Sequence, residues 1–179
     1  MIMKYLNFIL FFTCFNFFVF SQDIFDLARS GTVSQMEELL KKDPEALDRL
    51  SNSGFSPFLL ACYRGNNEIA KYLMEKGANT SPCTSEGSAI YGIIFKNNTE
   101  MLAHILDKGI STNDTCQFKQ FGTPLHMAMS LKRYEMVELL LMYGANKSIP
   151  NQEGKTIDEL LIQYEDEKLS TIFKKFEKN

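Results

Sequence analysis

The sequence predicts an all-α solenoid: stacked helix–turn–helix units with hairpin-like loops, about four repeats plus a terminal half-repeat. Three observations carry this expectation. The chain resembles itself at a period near 33, with Gln22, Ser56, Ser88, Thr123 and Thr156 in equivalent places, spaced 34, 32, 35 and 33 residues apart. Pro57 and Pro124 directly follow two of these positions. Ser56 and Thr123 are suited to cap a helix there, and proline at the first helical position forfeits no hydrogen bond. Nine residues past each unit's start, Gly31, Gly65, Asn97 and Lys132 separate two short helical segments; twelve further, Asp43, Gly77, Gly109 and Gly144 stop the second.

The elements follow in chain order. Residues 1–21 read as a signal peptide: one Lys, an apolar run from Tyr5 to Phe20, then Val19 and Ser21 placed for cleavage before Gln22. An uncleaved anchor is the alternative, but the run of 16 residues is shorter than the span of about 20 that a bilayer needs. Cys14 lacks a suitable lead-in for a lipoprotein box. Residues 22–164 form the repeat domain, divided into 22–55, 56–87, 88–122 and 123–155 with a capping helix from 156, and 165–179 read as a charged helical tail. The first unit lacks the Thr-Pro start but keeps Leu27-Ala28 and Leu39-Leu40. In the second and fourth units Ile69, Tyr72, Leu73 and Met136, Leu139, Leu140 recur at helical steps, giving an apolar stripe for the neighbour. Ala61 and Ala128 are small enough for close helix pairing. The third unit has Ala89 in place of proline and Gly92 inside its first helix, where glycine costs about 1 kcal/mol relative to alanine, so looser packing is expected there.

GTPLHMAMSLKRYEMVELLLMYGANKS, from Gly122, resembles the ankyrin repeat over nearly a whole unit, and SPFLLACYRGNNEIAKYLMEKGANTS, from Ser56, is a second good copy. With the leader, the layout is similar to that of small exported bacterial ankyrin-repeat proteins. The resemblance implies a non-catalytic module that binds another protein through a concave face, acting as a monomer. An inhibitor or immunity-like protein neutralising one enzyme or toxin is the alternative. Carried over by register, that face comprises Tyr63 and Arg64, Phe95 and Lys96, Ser130 and Leu131, with Phe118 and Lys119 from the long third loop. The resemblance gives His126 a structural hydrogen-bonding role between repeats.

Little else in the chain proposes chemistry. Net charge is −3, and removal of the leader with Lys4 takes it to −4, which argues against a dedicated nucleic-acid binder. No zinc motif, phosphate loop or nucleophile elbow occurs, His104 has no acid or thiol at a motif-like offset, and neither a cofactor nor a metal is expected. Glu37, Glu38, Glu135 and Glu138 fall on helix exteriors and read as solvated. Asn79, Asn97, Asn113 and Asn146 each open an Asn-x-Ser/Thr triplet, suited to glycans in a eukaryotic secretory path; Asn79 and Asn146 also occupy the position following the helix stop.

Export makes a disulfide possible, and after cleavage Cys62, Cys83 and Cys116 remain. Cys83 and Cys116 lie in successive inter-repeat loops. Repeats stack about 10 Å apart, too far for a bridge needing Cα atoms within about 7 Å. The lengthened stretch between Gly109 and Thr123 closes that gap, and a Cys83–Cys116 bridge is expected. Cys62 sits at a small-residue packing position and reads as buried and inert.

Overall fold

Each unit begins with a helix too short to be stable alone, and capping and stacking make it persist. The computed structural model describes residues 23–114, 116 and 121–177. The leader, Phe118 and Lys119 lie outside the described residues. Among those described there are ten α-helices and no strand. They pair as α1 (Ile24–Ser30) with α2 (Val33–Lys42), α3 (Pro57–Arg64) with α4 (Asn67–Glu75), and α5 (Ala89–Phe95) with α6 (Thr99–Asp107). Then come α7 (Pro124–Ser130) with α8 (Tyr134–Met142), and α9 (Ile157–Tyr164) with α10 (Glu167–Lys175). The charged tail is thus the second helix of a fifth pair. Its apolar face, Leu169, Ile172 and Phe173, is buried, and α10 packs on α8.

First helices stack on first helices, α1 on α3, α3 on α5 and α5 on α7; second helices do the same where α2 meets α4 and α6 meets α8. One continuous apolar core runs from Ile24 to Phe173. The end of the stack shows in one register position. Cys62, Ile94 and Met129, each six residues past the unit start, are buried, whereas Ile162 is 77 % exposed, with no further helix over it among the described residues. Asp158 and Glu159, where earlier units carry Phe58 and Leu59, solvate that end.

Local chemistry sets the boundaries. Ser56 Oγ accepts from Leu59 N–H at 3.1 Å. Thr156 and Glu159 form a capping box, with Thr156 N–H donating to the Glu159 carboxylate at 2.8 Å. The turn between paired helices is left-handed in four units, at Gly65, Asn97, Lys132 and Glu165, which only glycine adopts without cost. Gly77, Gly109 and Gly144 stop the second helices with positive φ. The tips at 51–55 and 151–155 close as small hairpins, with Ser51 N–H donating to Phe55 O and Asn151 N–H to Lys155 O, both at 2.9 Å.

The third unit departs in an unexpected direction. Ser88 does not cap its own helix; its hydroxyl donates to the Asp114 carboxylate in the following loop. Gly92 is not a point of looseness. A Cβ built there would lie 2.4 Å from Tyr63 Cδ2, so glycine is what lets the α3 tyrosine ring press against the α5 backbone. The triplet asparagines are engaged as well: Asn79 and Asn146 accept from Ser81 and Ser148 N–H, and Asn113 bridges to Gly144 O and Asn146 N–H.

His126 bonds within its own unit rather than across repeats. Its Nδ1 accepts from Thr123 N–H at 3.2 Å, which leaves the ring proton on Nε2, a buried atom with no partner among the described residues. Burial lowers the His126 pKa below its ordinary 6.5. The unfolded chain therefore binds the proton first as pH falls. Stability is complete above pH 6.5 and declines below it, down to the folded pKa. Glu159 and Asp166, both lowered chiefly by backbone hydrogen bonds, release their contributions only at more acidic pH. Urea midpoints measured from pH 7 to pH 5 should fall for the native chain and stay nearly level for His126→Asn, which keeps an acceptor and cannot titrate. A native profile flat over that window contradicts this assignment.

Candidate functional site

The loop tips and the C-terminal ends of the first helices form one face. There, units one to three enclose a groove of about 890 Å³. Tyr63 and Arg64 leave α3 and Phe95 and Lys96 leave α5 into this groove, so four of the residues chosen by register share one wall. Leu131 does not join them; it is half-buried and packed against the core.

The four residues behave differently. Tyr63 is half-buried: its Oη donates to the Glu86 carbonyl, its ring meets Phe55 edge-on at 5.5 Å and 89°, and its flank lies on Gly92. Burial, helped by the Glu86 carboxylate, pushes the phenol pKa up and keeps Tyr63 a donor. Its hydrogen bond stays within unit two, while its ring packs on Phe55 of unit one and on Gly92 of unit three. Within unit three, buried Tyr91 donates through its Oη to Gly122 O at 2.7 Å. Phe95, by contrast, is 61 % exposed although the rest of α5 is buried.

Sequence reasoning missed part of the groove. Arg29 occupies in unit one the same offset as Tyr63 and Phe95, and that register would have identified it. Arg49 and Leu50 come from the loop after the 3-10 turn Pro44–Asp48, where the first unit's extra residue shifts the pattern; the only hint is one apolar residue, Leu50, before the polar tip Ser51-Asn52-Ser53. Leu50 is 59 % exposed.

Charges in the groove are unevenly satisfied. Arg29 pairs with Asp26 at 2.8 Å and Arg49 with Asp43 at 2.7 Å. Arg64 and Lys96 have no ion-pair partner among the described residues. Two exposed cations beside an exposed phenylalanine can hold a carboxylate-bearing apolar surface by charge-assisted hydrogen bonds and burial. No cluster of three or more His, Cys, Asp or Glu suited to a metal occurs among the described residues. Nor is any described helix long and apolar enough to cross a membrane.

In the loops flanking the helices of unit three, Cys83 and Cys116 form a disulfide with a Cα–Cα distance of 5.6 Å. Asp114 sits beside it, accepting from Cys116 N–H at 2.6 Å and from the Ser88 hydroxyl. Cys62 is free and buried, and burial pushes its thiol pKa well above the ordinary value, so it stays protonated and unreactive.

Comparison with known proteins agrees with this architecture. The family model for ankyrin repeats in three copies matches residues 24–116, and the model for the single ankyrin repeat matches 122–152. The chain is 26 % identical over 147 residues to tyrosine-protein kinase HTK16 of Hydra vulgaris, covering 80 % of this chain and 19 % of that protein. It is 26 % identical over 144 residues to phosphocholine transferase AnkX of Legionella pneumophila, covering 76 % and 15 %. With the probable 26S proteasome regulatory subunit p28 of Saccharomyces cerevisiae it shares 30 % identity over 111 residues, 60 % of this chain and 47 % of that one. The chain spans less than half the length of each of these relatives. What carries across is the repeat architecture, whose members imply protein partners: the chain belongs to the ankyrin-repeat family.

Proposed function

We propose that this chain is an exported, non-catalytic interaction module, a monomer that holds one partner protein in the groove formed by units one to three. The observation that carries the reading is Phe95. A large apolar side chain stands 61 % exposed in the groove that the unpaired Arg64 and Lys96 also line, although the rest of its helix is buried. Such exposure contributes nothing to the fold and suits a contact anchor. Export is supported by the apolar leader and by the Cys83–Cys116 disulfide, which persists in oxidising compartments. A bacterial periplasmic setting fits the same two features, and the overall acid excess disfavours nucleic acid as the partner.

The reading is tested by crosslinking in the native cell with the full chain as bait, beside a Phe95→Ala variant. One dominant partner is expected, with affinity weakened about tenfold in the variant and thermal stability unchanged. Equal retention by both baits counts against the groove. If the partner is an enzyme or toxin whose activity falls on binding, the module acts as its inhibitor.

A further inference from the structure

The groove runs against the charge trend of the chain. The chain as a whole is net −3, yet Arg29, Arg49, Arg64 and Lys96 line the groove against only Asp23 and Glu86. With Arg29 and Arg49 engaged by carboxylates of the chain itself, the unspent charge lies on Arg64 and Lys96. Both stand one residue past an aromatic, at the ends of first helices that pack directly on each other. Stacked helices place equivalent residues about 10 Å apart. Apolar surface lies beside this pair of cations, at Phe95 and at Leu50.

Resting on the interaction-module reading, we infer that the partner presents an extended acidic segment. Two carboxylates in it, four residues apart, meet Arg64 and Lys96, and one large apolar side chain midway between them, on the same face, packs on Phe95 and Leu50. The spacing follows from geometry: side chains of an extended chain alternate between faces, so residues i, i+2 and i+4 share one, and the outer two lie about 13 Å apart, within reach of the long Arg64 and Lys96 side chains. Arg64 can take its carboxylate through two parallel hydrogen bonds, Lys96 as a point charge. A polyanionic backbone, nucleic acid or anionic lipid, fits less well: Asp23 and Glu86 line the same groove and repel a continuous run of negative charge, which a segment with two spaced acids avoids.

The test uses random dodecapeptides displayed for selection on the purified full chain, with a synthetic consensus peptide then titrated by fluorescence anisotropy. Recovered peptides should pair Asp or Glu four residues apart with a Phe, Leu or Ile at the position midway between them. Affinity should fall about tenfold for each of Arg64→Glu, Lys96→Glu and Phe95→Ala, and should weaken as salt rises. A peptide whose matching acid is changed to Lys should regain binding to Arg64→Glu. All three substituted side chains are exposed, and each variant is checked by circular dichroism, where the native helical spectrum is expected. Binders without acids, indifferent to both charge reversals but lost with Phe95→Ala, overturn the acidic partner and leave the interaction module standing. A selection yielding no binder that depends on Arg64, Lys96 or Phe95 overturns both. Charge-dependent binding of phosphatidylserine vesicles or a single-stranded oligonucleotide, with no peptide binder, overturns the peptide segment as occupant.

Discussion

Gly92→Ala is expected to destabilise the protein by about 1–3 kcal/mol, although alanine in a helix interior ordinarily gains about 1 kcal/mol over glycine. The two effects oppose each other, and geometry decides between them. Gly92 has helical backbone with no positive φ to relieve, so the propensity gain is fully available. The added methyl, however, would meet Tyr63 at 2.4 Å from Cδ2, 2.7 Å from Cγ and 2.8 Å from Cε2. That is the body of a ring, not the tip of a flexible chain. The ring is held at one end by its bond to Glu86 O and along its edge by Phe55, so it cannot step aside without losing both. Urea unfolding of Gly92→Ala, Tyr63→Ala and the double variant separates the terms. With the ring gone, Gly92→Ala should turn stabilising, a coupling of about 2 kcal/mol or more. A Gly92→Ala protein as stable as the native chain in the presence of Tyr63 would show that the ring relaxes freely.

The same pair shows how far the sequence could be read. Unit starts, caps and stops were legible because each is a local demand of the backbone: Ser56, Thr123 and the three stop glycines act on residues within a turn of themselves. Gly92 was misread as looseness because its reason lies 29 positions away in the chain, in a side chain of the preceding unit. Ser88 looks like its fellow caps and still gives its hydroxyl to Asp114, again a partner visible only once the loop is folded. The groove divides likewise. Arg64, Phe95 and Lys96 followed from the face that the ankyrin resemblance implies, carried over by register, since helices stacked in phase place equal offsets on one face. Arg49 and Leu50 belong to a loop where that phase is broken, and Tyr63, drawn as an anchor by the same register, is largely engaged in joining two units.

Removing the Cys83–Cys116 bridge is expected to have the largest effect, a loss of about 3–4 kcal/mol from the loop-closure entropy of a 33-residue separation. Cys83 precedes α5 and Cys116 follows α6, so the closed loop encloses both helices of the third unit. The loss is therefore local in structure. Without the bridge, Asp114 is no longer held over Ser88, and α5, which has no cap of its own, depends on stacking alone. Urea unfolding with and without a thiol reductant measures the term; amide exchange in α5 and α6 should accelerate more than in α8. Cys83→Ser/Cys116→Ser should match the reduced native chain and ignore the reductant, because the remaining thiol among the described residues, Cys62, is buried and unpaired. Equal stability in oxidised and reduced native protein would show that the bridge constrains nothing the stacking does not already fix. A loss of the expected size is a large fraction of the 5–15 kcal/mol typical of a domain. Unit three, which supplies Phe95 and Lys96 to the groove, would then be fully formed only where disulfides persist. Partner binding measured under the same two redox conditions should fall in step with stability, joining the proposed export and the groove in one dependence.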